Sequence, residues 1–333
     1  MVSRRQIILG IGAGTLAAPL STYAQQTERI WRLGWLDWSD KGKFSEVTGR
    51  AFVEGLRDAG FVEGGNLSIE KRVAFGDLRK LQALARELAA LKVDVLFTPS
   101  QVATNAAWYA SRTIPTVIAL VADPVLLQYA NSLGRPGKHI TGVTTASAEL
   151  TGKRLELLHE ATSGAKRIAV LYDKTLYDSC QEELTQFRAA AAKLGISLVE
   201  TPVPNLALSL AELEPAFRRM VEAKAQAVVM PLFTSVSDHS PEIARLALKY
   251  RLPTMHEVDD AATGYLLTYG PDFADVYRRA AGYVARIFKG ANPADMPIEQ
   301  PRSFVLTVNL KVARALGIVL PQSILIRAER VTE

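Results

Sequence analysis

A group of hydroxyl and amide side chains lies where a short apolar run meets a helical pattern, in residues 95–104, VLFTPSQVAT. Ser100 can cap a helix that begins near Gln101, and Pro99 fixes the turn before it. The free amides of such a helix start, with the hydroxyls of Ser100 and Thr104, would suit an anion such as a carboxylate. The alternative is that Ser100 is only a helix cap and binds nothing.

Acidic and aromatic residues follow the other apolar runs in the same way. Carboxylates at such positions could receive an ammonium group, and aromatic rings could stack on a planar ligand. The alternatives are core or rim packing for each ring and a solvated loop for the acids. The candidates of this kind are Asp37, Trp38, Asp123, Tyr172, Tyr177, Phe233 and Glu257, with Asp259 beside the last.

Signatures of catalysis and of metal binding are absent from the sequence. It has no P-loop, no GxSxG elbow and no HExxH motif, and its four histidines are scattered. The single cysteine, Cys180, can form neither an internal disulfide nor a cysteine metal site. The net charge is only +5, and the sequence contains no stripe of basic residues. Both observations argue against a nucleic-acid partner. We therefore expect no enzymatic activity, no metal and no cofactor.

The candidate residues need a scaffold that brings the ends of strands together. From Trp31 to Val121 apolar runs alternate with helical patterns, and the alternation starts again at Leu150. This order predicts two open parallel sheets covered by helices, an α/β architecture. Ligands of such sheets bind outside the carboxyl ends of the strands, which is where the candidates fall.

The two units are expected to be joined by a hinge. The Gly-, Pro- and Thr-containing segment 131–150 marks a boundary, and the chain after Tyr269 crosses between the units again. Repeated crossings make a hinge, and a hinge implies a cleft that closes on a ligand. We predict that lobe I comprises residues 29–144 plus about 272–302, and lobe II residues 145–271 plus about 303–333.

The first 24 residues have the pattern of an export signal. Residues 3–24, SRRQIILGIGAGTLAAPLSTYA, combine a charged start, an apolar run and a small-residue end. The apolar run is shorter than the roughly 20 residues that span a bilayer. Ser3, Arg4 and Arg5 before the apolar run are typical of a twin-arginine signal, and an ordinary secretory signal that carries two arginines is an equal alternative. We expect a soluble periplasmic protein that is not embedded in the membrane and is a monomer.

Four stretches, taken together, resemble a known family. They are AFVEGLRDAGFVEGGNLSIE at 51–70, ADPVLLQYANSLGRPGKHITGVT at 122–144, GKRLELLHE at 152–160 and PRSFVLTVNLKVARALGIVLPQSILIRAERV at 301–331. In this order and spacing, the chain is similar to ABC-transporter substrate-binding proteins of the tryptophan- and tyrosine-binding type. The resemblance implies a type I periplasmic-binding fold, a small-molecule ligand and a membrane permease as partner.

The resemblance also assigns site residues. Ser100, Gln101 and Thr104 match the family's carboxylate-binding helix start, and Asp123 matches the aspartate of its Asp-Pro turn. That aspartate could instead cap a helix that begins at Pro124. The chain departs from the usual pattern at Asp37 and Trp38 and at YDKTLYDS, residues 172–179, so the ligand's identity stays open.

We therefore expect the periplasmic solute-binding component of an ABC import system. The expected solute is an amino acid or an aromatic acid that bears a carboxylate, held in the interlobe cleft. The first alternative is a periplasmic protein that senses a ligand and signals to a membrane receptor. The second is a secreted α/β enzyme.

Overall fold

The computed structural model describes residues 29–39, 42–145, 147–231, 234–258 and 264–333, without the side chains of 42–44, 147–149, 177–180 and 234. The expected export signal lies outside these residues. The described chain forms two α/β units around separate sheets. We call the unit with five strands lobe I and the unit with seven strands lobe II. Both sheets are mainly parallel, as the sequence predicted.

Lobe I is built on a parallel sheet in the order β2-β1-β3-β4-β5. Its strands are β1 (Trp31–Asp37), β2 (Leu67–Val73), β3 (Val95–Thr98), β4 (Thr116–Val121) and β5 (Ile140–Thr144). The helices that connect the first four strands are α1 (Gly42–Asp58), α2 (Leu78–Ala90) and α3 (Gln101–Ala110). Because each crossover is right-handed, α1 covers one face of the sheet and α2 and α3 cover the other.

Lobe II has the strand order β12-β11-β10-β9-β8-β6-β7, and only the β10–β11 pair is antiparallel among these pairs. Its strands are β6 (Arg167–Asp173), β7 (Ser197–Val203), β8 (Ala227–Val229), β9 (Thr254–His256), β10 (Leu267–Pro271), β11 (Phe304–Asn309) and β12 (Arg330–Thr332). The helices of the second half of the chain are α4 (Ser147–Ala161), α5 (Tyr177–Leu194), α6 (Leu213–Glu222), α7 (Thr234–Asp238), α8 (Ser240–Lys249), α9 (Phe273–Phe288), α10 (Leu310–Leu316) and α11 (Gln322–Arg327). Short 3₁₀ turns occur at Lys174–Leu176 and Pro293–Asp295.

An aromatic stack holds the α1 face of lobe I. The rings of Phe52 and Phe97 are stacked with their centroids 3.8 Å apart. Trp35 meets Phe52 and Phe97 edge-on at 5.1 and 5.2 Å. Tyr277 of α9 approaches Phe97 at 5.7 Å. This contact ties α9 to lobe I although it follows the strands of lobe II in sequence.

The chain crosses between the sheets at three places. It leaves β5 for α4, leaves β10 for α9, and enters β11 after residues 298–303. Before that last crossing it stays attached to lobe I, because the amide of Thr144 donates to the Glu299 carbonyl at 2.9 Å and the Thr141 hydroxyl donates to the Met296 carbonyl at 2.7 Å. These three connecting segments form the hinge that the sequence predicted.

Strand β5 occupies part of the segment that the sequence indicated only as a boundary. Gly142 has a φ of 138°, and a β-carbon there would lie 2.2 Å from the Ile118 carbonyl oxygen. The glycine therefore permits the close approach of β5 to β4. Among the described residues, none of the helices combines the length and the apolar character that a membrane crossing requires.

Candidate functional site

The carboxyl ends of the strands in the two sheets face each other. Gly76, after β2, lies so close to Ala207, after β7, that a β-carbon at Gly76 would be 2.8 Å from that of Ala207. Helix α1, which follows β1, contacts α7, which follows β8. Leu176, after β6, lines a groove of about 430 Å³ with α2 and α3. These three contacts define what we call the interlobe seam, and every one of them involves chain that has just left a carboxyl end.

The start of α3 has the geometry of a capped anion site. The Ser100 side chain accepts a hydrogen bond from the Ala103 amide at 3.3 Å. The Thr104 hydroxyl donates to the Ser100 carbonyl at 2.9 Å and lies 2.9 Å from the Thr98 hydroxyl, which must then be the donor to it. Thr104 is thus engaged in holding the turn. The first amides of a helix point out of its start, so those of residues 101 and 102 are the groups suited to an anion.

Asp37 is the last residue of β1, Trp38 follows it, and both are buried. Asp37 accepts hydrogen bonds from the Trp35 indole at 3.2 Å and from the Ser39 amide at 3.4 Å. It borders a cavity of about 10 Å³, the space of one water molecule. Tyr277 lines the same cavity, and burial, followed by the charge of Asp37, raises the pKa of its phenol well above the usual value. The carboxylate of Asp37 is therefore held by the protein close to the seam.

Asp123 caps a turn. Its Oδ1 accepts hydrogen bonds from the amides of Val125 and Leu126 at 2.9 and 2.8 Å. Residues 124–128 form consecutive turns rather than a helix. The geometry supports the capping role that the sequence left open beside ligand binding.

Tyr172 lies at the end of β6 and is 5% exposed. Its hydroxyl bonds to Glu200 on β7, where Arg188 also donates at 2.8 and 3.0 Å. These bonds, the arginine contact first, lower the pKa of the Glu200 carboxyl. The ring is thus packed within lobe II, with its hydroxyl directed to the neighbouring strand.

Glu257 belongs to a buried charge network in lobe II. Arg154 Nη1 lies 2.8 Å from Glu183 Oε1 and 2.8 Å from Glu257 Oε2, and the three side chains are 0%, 8% and 0% exposed. One guanidinium thus serves two carboxyl groups beside the carboxyl end of β9. Burial, followed by the charge of Arg154, lowers the pKa of the adjacent His256 to about 3, so this imidazole is neutral.

Some of the predicted residues cannot be placed. Phe233 and Asp259 lie outside the described residues, and so do the side chains of Tyr177 and Cys180. In the described part of the chain, no group of three or more His, Cys, Asp or Glu side chains is arranged to hold a metal ion.

Buried polar atoms without hydrogen-bond partners among the described residues mark both carboxyl edges. In lobe I they belong to Trp38, Ser39 and Thr144, at the ends of β1 and β5. In lobe II they belong to Ser235 at the start of α7, to His256 at the end of β9, and to Thr268, which pairs with His256. Of these, only Trp38 was chosen as a site residue from the sequence, although Ser39 and His256 also follow predicted strands. An inspection of all hydroxyl residues at strand ends would have added Ser39 and Thr144.

Comparison with known proteins identifies the family to which this chain belongs. Residues 42–332 match the family model described as ABC transporter substrate binding protein. The chain belongs to this family. The expected family and the type I periplasmic-binding fold are therefore confirmed. The function of substrate-binding proteins is to hold a small molecule for an ABC permease, so the family is one of binding proteins rather than enzymes.

Relatives of this substrate-binding protein include a tyrosine-binding protein from Clostridioides difficile, 24% identical over 268 residues that cover 80% of this chain and 75% of the relative. A Streptococcus pneumonia ABC domain in complex with L-Trp has a TM-score of 0.82 at 23% identity, and the match covers 90% of this chain and 99% of that one. The ligand-free, open structure of a Clostridium difficile substrate-binding protein with adhesive properties has a TM-score of 0.64 at 24% identity, covering 91% and 99%.

Proposed function

We propose that this substrate-binding protein is the periplasmic solute-binding component of an ABC import system and captures a small solute without catalysis. The observation that carries this proposal is the set of buried polar atoms without partners, among the described residues, on both carboxyl edges. A buried polar group that is left unsatisfied costs free energy, so native proteins keep few of them. Six residues of this kind around one seam are explained by a polar guest held between the lobes.

The solute bears a carboxylate, which the amides of residues 101 and 102 bind with the hydroxyl of Ser100. The helix dipole and the amides at the helix start favour a negative group at this point. An amino group on the same solute is favoured by the carboxyl group of Glu257 and by that of Asp37 on the other side of the seam. An amino acid satisfies both requirements, and an aromatic acid satisfies the first. The similarity to a tyrosine-binding protein and to an ABC domain in complex with L-Trp supports a solute with an aromatic ring.

The protein captures the solute when the two lobes close about the three connecting segments. A ligand shifts such an equilibrium only through contacts that exist in the closed arrangement. Here the contacts of Gly76 with Ala207, of α1 with α7 and of Leu176 with α2 and α3 all form between the lobes. The higher TM-score against the L-Trp complex than against the open, ligand-free structure supports a closed arrangement of this chain.

The partner and the location follow from the same role. A permease of an ABC transporter receives the solute, and the protein acts as a periplasmic monomer after removal of residues 1–24. The route of export is tested by replacing Arg4 and Arg5 with lysine and measuring the amount of exported protein, because the twin-arginine route requires that pair. Unchanged export would favour an ordinary secretory signal.

A ligand panel tests the proposed solute class. Thermal unfolding and calorimetry are measured with L-Trp, L-Tyr, L-Leu, 3-indolepropionate, which lacks the amine, and tryptamine, which lacks the carboxylate. A solute at 100 times its Kd stabilises the folded state by about 2.7 kcal/mol. We expect a rise in Tm with at least one carboxylate and none with tryptamine. No rise with any carboxylate would show that the class is wrong.

A pair of helix caps tests the position of the carboxylate. Ser100→Ala removes the cap and hydroxyl of α3, and Asn309→Ala removes the cap of α10, which accepts from the Val312 amide at 3.0 Å. Each loss costs about 1 kcal/mol of stability. Only Ser100→Ala is expected to weaken binding of the carboxylate. Equal Kd values in the two variants would remove Ser100 from the site.

A further inference from the structure

Trp38 lies at the interlobe seam, next to the contact between Gly76 and Ala207. Its carbonyl accepts a hydrogen bond from the Gly76 amide at 3.1 Å, and Gly76 itself packs on Ala207 of lobe II. The indole belongs to one apolar cluster with Leu81 of lobe I and with Leu176 and Ala207 of lobe II. Only 1% of the residue is exposed. The apolar cluster that encloses it is thus built from residues of both lobes.

The indole N–H of Trp38 has no acceptor among the described residues. Trp35, three residues earlier and within β1, provides a direct comparison, because its indole N–H donates to Asp37 Oδ2 at 3.2 Å. An indole nitrogen is a donor only, so nothing but an acceptor atom can satisfy it. A donor that loses its water on burial and gains no acceptor opposes the change that buries it.

We propose that Trp38 makes closure of the lobes depend on the solute. In the open arrangement its N–H is hydrated. In the closed arrangement without solute the N–H is buried without an acceptor, so this arrangement is disfavoured. A bound solute that presents an acceptor oxygen to the N–H removes this disadvantage. Trp38 thus recognises the solute by hydrogen bonding as well as by ring contact. It selects solutes that place an acceptor atom next to its indole N–H.

The size of the effect follows from the cost of an unsatisfied buried donor. That cost lowers the population of the closed, empty protein by about 5- to 100-fold. Loss of the N–H should raise this population by the same factor. It should also raise the Kd of a cognate solute by about 5- to 100-fold, because the solute's oxygen then lacks its donor. The first effect needs no ligand, whereas the second rests on the proposed function.

The test compares Trp38→Phe with Trp35→Phe. Interlobe distances are measured by double electron–electron resonance in ligand-free protein, with labels at Arg86→Cys on α2 and Lys193→Cys on α5 in a Cys180→Ser background. We expect the closed fraction to rise in Trp38→Phe and to stay at the wild-type level in Trp35→Phe. Trp35→Phe should instead lower the Tm, since it removes a bond that is made.

Isosteric replacement guards against a folding defect. If Trp38→Phe does not fold, benzothienylalanine at position 38 keeps the ring shape and replaces N–H with sulfur. An unchanged closed fraction in the folded variant, with unchanged Kd values for L-Trp and L-Tyr as probes, would overturn the proposal. If neither probe binds the wild-type protein, the proposed solute class is wrong, and the ligand-free measurement still decides whether Trp38 controls closure.

Discussion

Replacement of Arg154 with methionine is expected to destabilise lobe II severely. The guanidinium is 0% exposed, and its Nη1 atom lies 2.8 Å from a carboxylate oxygen of Glu183 and 2.8 Å from one of Glu257. Arg154→Met removes the cation and leaves two carboxylates close together and away from water. Like charges in such a site can neither separate nor be screened by solvent.

The magnitude follows from the two buried ion pairs that Arg154 makes. Removal of one partner of a buried ion pair costs about 3–5 kcal/mol, and Arg154 serves two partners, so we expect at least this loss in the free energy of unfolding. Glu257→Gln leaves the Arg154–Glu183 pair intact and keeps a hydrogen-bonding side chain at position 257. Its expected cost is about 2 kcal/mol, the contribution of one hydrogen bond to a charged group. The prediction is therefore that Arg154→Met lowers the free energy of unfolding more than Glu257→Gln does.

The deficit of Arg154→Met should also depend on pH. Without the cation, the two buried carboxylates repel each other, and protonation at low pH removes that repulsion. The difference from wild type should therefore be smaller at pH 4.5 than at pH 8.

Urea unfolding followed by circular dichroism measures these free energies. Arg188→Met is the matched control, because Arg188 bonds Glu200 at 2.8 Å at the surface, where the two side chains are 45% and 36% exposed. Exposed pairs contribute about 0–1 kcal/mol. If Arg154→Met cost no more than Arg188→Met, the burial of the network and the reasoning built on it would be wrong.

Three further predictions use single positions. Leu176→Ala should raise the Kd of the solute about 30-fold by calorimetry, because about 2 kcal/mol of apolar burial at the seam is lost, and an unchanged Kd would show that Leu176 does not join the lobes. Gly142→Ala should lower the Tm by several degrees, since its β-carbon would lie 2.2 Å from the Ile118 carbonyl oxygen, and a wild-type Tm would contradict that crowding. The pKa of His256 is about 3 in the folded protein and about 6.5 in the unfolded chain. The neutral imidazole therefore stabilises the folded state fully above pH 6.5, and the free energy of unfolding falls by about 2 kcal/mol when the pH is lowered to 5. His256→Gln should lack this part of the pH dependence in urea unfolding, and an identical slope in both proteins would refute a neutral buried imidazole.

The long amphipathic elements could be predicted from the sequence, and the short ones could not. The apolar spacing of residues 78–91 and 274–288 predicts helices, and the structure has α2 at Leu78–Ala90 and α9 at Phe273–Phe288. The apolar run at 264–268 predicts a strand, but β10 comprises Leu267–Pro271. The three-residue strand β9 and the helix α7 are too short for a periodicity to show. Their positions are set by neighbours in the sheet rather than by local pattern.

The chemistry of the site was predictable where it is local. Caps such as Ser100 and Asp123 act on amides two or three residues away, so residue type and spacing are enough. The pairing of Glu257 with Arg154 joins residues 103 positions apart, and no spacing rule indicates it. That the Trp35 indole is satisfied and the Trp38 indole has no acceptor among the described residues depends on three-dimensional contacts alone.

The most direct test of the account is the distance between the lobes with and without solute. The spin-label pair at Arg86→Cys and Lys193→Cys is measured in the ligand-free wild-type background and again with saturating L-Trp, while calorimetry on the same sample confirms binding. We expect a broad distribution of longer distances that narrows and shortens when L-Trp is added. Binding of L-Trp with no change in the distribution would contradict capture by closure of the lobes.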